Sequence, residues 1–114
     1  MMSRNGNGNN NVGQATQEAV SSSTQTAAGS ASVSPALPGG ATGVPLYFEV
    51  SGDVAGYATI NVGTNAQYVV ANNPNGGPVR KAIPRSAFPG PVNSVPITLT
   101  FAGAGTLTVT VGFR

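Results

Sequence analysis

Apolar and polar residues alternate along the second half of the chain, which is the pattern of half-buried β-strands. Leu46, Phe48 and Val50 share one side of a predicted first strand over residues 46–51, which ends at Gly52. The same two-residue period predicts a second strand over residues 57–62. A short third strand over residues 67–71 and an edge strand over residues 79–83 are further candidates. Runs rich in Gly, Pro and Asn separate these segments, so we expect short strands joined by loops.

The C-terminal segment has a mirror symmetry about Ala104. Reflection about this residue places Phe101 opposite Leu107 and brings the other apolar residues together on one face, with threonines on the other face. The glycines of the loop over residues 103–105 permit the positive φ angles that short hairpin loops require. We therefore predict a C-terminal β-hairpin over residues 95–113.

The first 45 residues have a different composition. They are mostly Asn, Gly, Ser, Thr, Ala and Gln, and all seven aromatic residues lie after them. Such a segment cannot bury enough apolar surface to offset the entropy lost on ordering. A brief helical spacing between Val12 and Val20 is too short to be stable alone, and we favour coil there. We predict a flexible arm and linker over residues 1–45 and a folded β-domain over residues 46–114.

These elements predict the fold class. About five or six short strands, with turns rich in Gly and Pro and no amphipathic helix, indicate a small all-β domain, an antiparallel β-sandwich or barrel. A domain of about 70 residues has a marginal core, and the chain has no cysteine for disulfides. Contact between chains is the remaining common source of stability, so we predict a homo-oligomer and favour a trimer.

Composition also limits the chemistry. The chain of 114 residues has 5 Lys and Arg, 3 Asp and Glu, and no His or Cys, for a net charge of +2. Side chains that titrate near neutral pH or bind metals are therefore scarce, and we predict neither an enzyme nor a cofactor. Glu49 and Asp53 are the only carboxylates of the predicted domain, and a glycosidase needs a pair of carboxyl groups. We interpret them instead as a solvated strand residue and a turn residue.

Two groups of residues are candidates for contact with a partner. The first contains Arg80, Lys81 and Arg85, which suit an acidic protein surface or form an ordinary solvated face. Three residues could contact only three phosphates, which is too few for a dedicated nucleic-acid binder. The second contains Tyr47, Tyr57 and Tyr68, each on a predicted strand, which would suit stacking on a carbohydrate or another surface.

Taken together, these features predict a structural assembly protein. The chain has no apolar run long enough for a membrane span. Its first residues lack the apolar segment that follows the positive charge in a signal peptide, so we expect synthesis in the cytoplasm. We predict a small virion protein, such as a phage capsid decoration, cement or minor coat subunit. Its arm would tether neighbouring subunits of a capsid lattice. The alternative is a carbohydrate- or surface-binding β-sandwich module.

Overall fold

The computed structural model describes residues 16–62 and 66–114, and in this part the chain forms eight strands and two single-turn 3-10 helices. The strands are β1 (Gln17–Gln25), β2 (Gly29–Val33), β3 (Pro45–Gly52), β4 (Gly56–Val62), β5 (Ala66–Asn72), β6 (Val79–Ala82), β7 (Ile97–Phe101) and β8 (Gly105–Phe113). The 3-10 turns span Pro38–Gly40 and Arg85–Ala87. The predicted all-β antiparallel class is confirmed.

The strands form two four-stranded antiparallel sheets. The first sheet has the order β1-β8-β3-β6, and the second has the order β2-β7-β4-β5. The chain passes from one sheet to the other at each connection except the one between β4 and β5, which pair as neighbours. Strand β1 pairs with β8, β2 with β7, and β3 with β6. This nested pairing of early strands with late strands is the topology of a jelly-roll sandwich.

The predicted C-terminal hairpin is wrong. Strands β7 and β8 lie in different sheets, and the loop between them turns the chain from one sheet to the other. Phe101 and Leu107 are both buried, as the mirror symmetry requires, but they approach the core from opposite sheets. The alternation of apolar residues cannot separate these two arrangements, because both bring the apolar faces of the two segments together.

The predicted boundary at residue 45 also needs correction, because residues 17–33 belong to the sandwich. We call this segment the N-terminal ribbon; it contains β1, β2 and the corner between them. Gln25 pairs with Gly105 and Gly29 pairs with Phe101, so one antiparallel register continues across both sheets. The part of the predicted arm before residue 16, including residues 12–15 of the brief helical spacing, lies outside the described residues, whereas residues 17–20 of that spacing lie in β1.

The core lies between the sheets and is built mainly from β3, β4, β7 and β8. Alternate residues of these strands point inward, as the sequence pattern predicts. The largest fully buried side chains are Phe48, Phe101, Phe113, Ile60, Ile97, Leu99, Leu107, Val50, Val95, Val109, Val111 and Pro35.

Two corners of the chain interlock at one end of the sandwich. Asp53, between β3 and β4, accepts a hydrogen bond from the backbone N–H of Thr106 at 2.8 Å, and its own N–H bonds the Thr106 carbonyl at 3.2 Å. The side-chain amide of Asn72, at the end of β5, donates to the carbonyls of Gly52 and Val54 at 3.2 and 2.8 Å. These contacts fix the corner between the first and second sheets.

Candidate functional site

A polar cluster crosses the outer face of the first sheet. The hydroxyl of Tyr47 on β3 donates a hydrogen bond to the carboxylate of Glu18 on β1. The guanidinium of Arg80 on β6 lies 3.7 Å from the centre of the Tyr47 ring, and its Nε is 3.1 Å from Oε1 of Glu49. The cluster therefore connects both edge strands of this sheet through the tyrosine ring.

Gly112 makes this arrangement possible. It pairs with both Glu18 and Tyr47, so it lies between them in the sheet. A Cβ atom at this position would overlap the Tyr47 ring. Because glycine has no side chain, the ring can lie across β8 and reach the carboxylate on β1. The glycine is thus required by close approach of an aromatic ring rather than by a turn.

The cluster also affects the acidity of its tyrosine. The hydrogen bond to the Glu18 carboxylate raises the pKa of Tyr47 above its ordinary value of 10.0, and burial and the charge of Glu18 act in the same direction. The positive charge of Arg80 opposes this shift. The folded protein therefore favours the neutral phenol, which is the form that donates to Glu18.

The three basic candidate residues are not equivalent in the structure. Arg80 is held by Glu49 and Tyr47 on the outer face. Lys81, the next residue of β6, pairs with the inward-pointing Phe48 but is itself exposed at the edge of the sheet. Arg85 is exposed in the 3-10 turn that follows. A charged side chain at an edge strand hinders pairing with another chain, so Lys81 protects this edge.

The three tyrosines do not form one platform. Tyr47 lies on the outer face of the first sheet, within the polar cluster. Tyr57 is 43% exposed and pairs with Thr100 and Ala71 on the outer face of the second sheet. Tyr68 packs against the core. Only Tyr57 remains available as an exposed aromatic contact, because the other two have partners within the fold.

Both carboxylates of the predicted domain have structural contacts. Glu49 forms the ion pair with Arg80, and its side chain is 25% exposed. Asp53, interpreted from the sequence as a turn residue, caps the N–H of Thr106, a residue far along the chain. The two residues are therefore explained by the fold, as a strand residue and a corner residue.

Paired hydroxyl groups join the N-terminal ribbon to β8. The Oγ of Ser22 is 2.7 Å from Oγ1 of Thr108, and the Oγ1 atoms of Thr24 and Thr106 are 2.8 Å apart. The sequence showed the threonines of β8 as a solvent-facing row but gave no partner for them. No local signal in β1 could have revealed these pairs, because Ala19 and Val20 are adjacent and the rest of the strand is polar.

No protein-family model, no curated protein and no solved structure matches this chain. Within residues 16–62 and 66–114, no helix is long and apolar enough to span a membrane.

Replacing Tyr47 with phenylalanine should weaken the fold and change its response to alkaline pH. Loss of the hydrogen bond to Glu18 should cost about 0.5–1 kcal/mol at neutral pH. Because folding raises the pKa of Tyr47, its contribution is complete below pH 10.0 and is lost as the pH rises past the raised value in the folded state. Urea unfolding between pH 8 and pH 11 should therefore show a steeper alkaline loss of stability in the wild type than in Tyr47→Phe.

The matched control for this experiment is Tyr57→Phe, since Tyr57 is exposed on the other outer face. Its pH dependence should follow that of the wild type. Equal alkaline slopes for the wild type and Tyr47→Phe would contradict the contact between Tyr47 and Glu18.

Proposed function

We propose that this chain is a structural subunit that works by assembling with copies of itself and with a larger protein lattice. The specific form that we propose is a small virion protein, such as a phage capsid decoration, cement or minor coat subunit. The observation that carries this proposal is the jelly-roll strand order of the two sheets. Viral capsid proteins use this architecture.

One edge of the second sheet supports assembly. Strand β5 is an edge strand of seven residues, Ala66–Asn72, without a charged residue or proline. Such an edge offers unpaired backbone groups to a strand from another chain. The edge strand β6 of the first sheet differs, because it is short and carries Arg80 and Lys81. The two edges thus differ in how well they are protected against pairing.

An exposed apolar surface lies beside the unprotected edge. Val69 of β5 is 42% exposed and Tyr57 of the adjacent β4 is 43% exposed. The register places both side chains on the outer face of the second sheet. Apolar side chains next to an open edge favour burial against another protein. This surface is therefore our candidate contact between subunits.

The alternative function is a carbohydrate- or surface-binding module. Lectins also use the jelly-roll architecture. The specific observation in its favour is Tyr57, which is exposed beside the hydroxyl-bearing Thr100 on the outer face of the second sheet. An aromatic ring next to hydroxyl groups suits stacking on a sugar.

Sedimentation and light scattering of the purified chain test the proposal. We expect the mass of a trimer or a larger assembly. Val69→Lys should weaken self-association about tenfold or more, because it would bury a charge at the contact. Val20→Lys is the matched control, since Val20 is 60% exposed on the other outer face, and it should leave the mass unchanged.

The opposite results would favour the alternative. A chain that stays monomeric at all concentrations, whether alone or mixed with particles, would contradict the assembly proposal. A monomer that binds glycans, and loses that binding in Tyr57→Ala, would identify the binding module instead.

A further inference from the structure

The N-terminal ribbon contributes little to the core. Ala19 is its one buried apolar residue among the described residues, and Ala31 and Val33 are only partly buried against the core. The other inward positions of β1 are occupied by polar residues such as Ser21 and Ser23. Strands with few buried apolar contacts open at a low free-energy cost compared with the whole domain.

Removal of the ribbon would leave a complete smaller sandwich. Strands β1 and β2 lie at the same side of the molecule, at the ends of their respective sheets. Without them the sheets β8-β3-β6 and β7-β4-β5 keep all their other pairings. The large buried side chains remain in these six strands and their connections. The ribbon is therefore an outer layer whose removal leaves the other six strands paired with one another.

The chain is held firmly directly after the ribbon. Pro35 and Leu37 are buried, and the N–H of Leu37 donates to the carbonyl of Asn93 at 2.9 Å. The side-chain amide of Asn93 donates in return to the carbonyls of Leu37 and Ala41 at 3.1 and 2.6 Å. Ser34 is thus the one residue between the ribbon and the fixed segment. Because a proline follows it, Ser34 prefers an extended conformation.

The contacts of the ribbon are specific although they are mostly polar. The hydroxyl pairs Ser22–Thr108 and Thr24–Thr106 and the bond from Tyr47 to Glu18 all depend on one register. A vacant β8 would therefore accept this ribbon better than an unrelated strand. The ribbon of a second copy would remake every one of these contacts, so an exchange between copies loses no interaction.

From these observations we infer that residues 17–33 exchange between copies of this chain, so that the ribbon of one copy pairs with β8 and β7 of its neighbour. The partner is a second copy of the chain, and the hinge is Ser34. This inference rests on the proposed function, because it supplies a physical link between subunits of the assembly. It also replaces the disordered tether that the sequence predicted with a defined strand pairing.

The absence of native cysteine allows a direct test by disulfide cross-linking. Ser22→Cys and Thr108→Cys would be made as separate single variants, unfolded together, refolded as a mixture and oxidised. The hydroxyl oxygens of these residues are 2.7 Å apart, so two cysteines there can form a disulfide. Exchange should give a disulfide between residues 22 and 108 of different chains, identified by mass spectrometry in the assembled fraction.

The matched control pairs Ser22→Cys with Thr98→Cys, because Thr98 lies on the outer face of the other sheet. Random collisions would cross-link both mixtures equally, whereas exchange should favour the 22–108 product by roughly a hundredfold. The double variant Ser22→Cys/Thr108→Cys, oxidised as a dilute monomer, should be locked and should not exchange. Reduction of its disulfide should restore exchange.

The outcomes separate this inference from the proposed function. An assembly that forms without the 22–108 cross-link between chains would overturn ribbon exchange and leave the assembly proposal intact. A monomer under all conditions would overturn both. Assembly by the locked double variant to the same extent as the wild type would also overturn exchange.

Discussion

Replacement of Gly52 with alanine is expected to lower the free energy of unfolding by about 3 kcal/mol or more. Gly52 ends β3 with a φ of 155°, a conformation that side chains rarely permit. A Cβ atom there would overlap the carbonyl oxygen of Thr106 and would lie 3.0 Å from Cδ2 of Leu107. Backbone and core must both move to accommodate the methyl group. Urea unfolding followed by circular dichroism measures the loss.

The control for this variant is Gly103→Ala. A Cβ atom at Gly103 would have no neighbour within 4 Å, and the change should alter stability by no more than about 0.5 kcal/mol. If Gly52→Ala were as stable as Gly103→Ala, the close packing of the two corners against each other would be wrong.

Truncation of Phe101 to alanine is the second change with a large expected effect. Phe101 is 2% exposed at the end of β7 and belongs to the core between the sheets. Removing a buried phenylalanine side chain costs about 3–5 kcal/mol, because apolar contacts are lost and a cavity remains. In a domain of this size that is a large part of the total stability. Thermal and urea unfolding should both show it.

Val20→Ala on the N-terminal ribbon is the comparison. Val20 is 60% exposed, so its truncation should cost no more than about 0.5 kcal/mol. Similar losses for the two variants would show that Val20 packs against the domain as closely as Phe101 does, which its exposure excludes. That result would also weaken the case for a separable ribbon.

The strands with strong apolar alternation could be predicted from the sequence. The predicted first strand over 46–51 corresponds to Pro45–Gly52, and the strand over 57–62 corresponds to Gly56–Val62. The pattern also indicated which residues point inward, such as Phe48. These positions were predictable because the apolar face of each strand is set by its own side chains.

The two N-terminal strands could not be predicted in this way. Strand β1 contains Ala19 and Val20 as its only apolar residues, followed by a run of serines and threonine. Its structure comes from pairing with β8, which depends on residues more than 80 positions away. Local composition therefore indicated disorder where long-range pairing supplies the order.

Which strands pair with one another could not be predicted from the sequence pattern either. Alternation determines which side of a strand is apolar, but not whether the next strand pairs beside it or faces it across the core. The polar cluster was missed for a related reason, because the contact between Tyr47 and Glu18 exists only when β1 and β3 flank β8. Arg80 and Tyr47 were identified separately, but their contact was not.

The continuous register of the ribbon has a consequence for how this protein can vary. The corner over residues 26–28 and the corner over residues 102–104 have equal lengths, because pairing resumes on both sides at Gly29 and Phe101. An extra residue in one corner alone would shift the pairing register between β2 and β7 by one residue and turn the serines of β2 toward the interior. Natural length changes at these two places should therefore occur together, so that the two corners evolve as a matched pair.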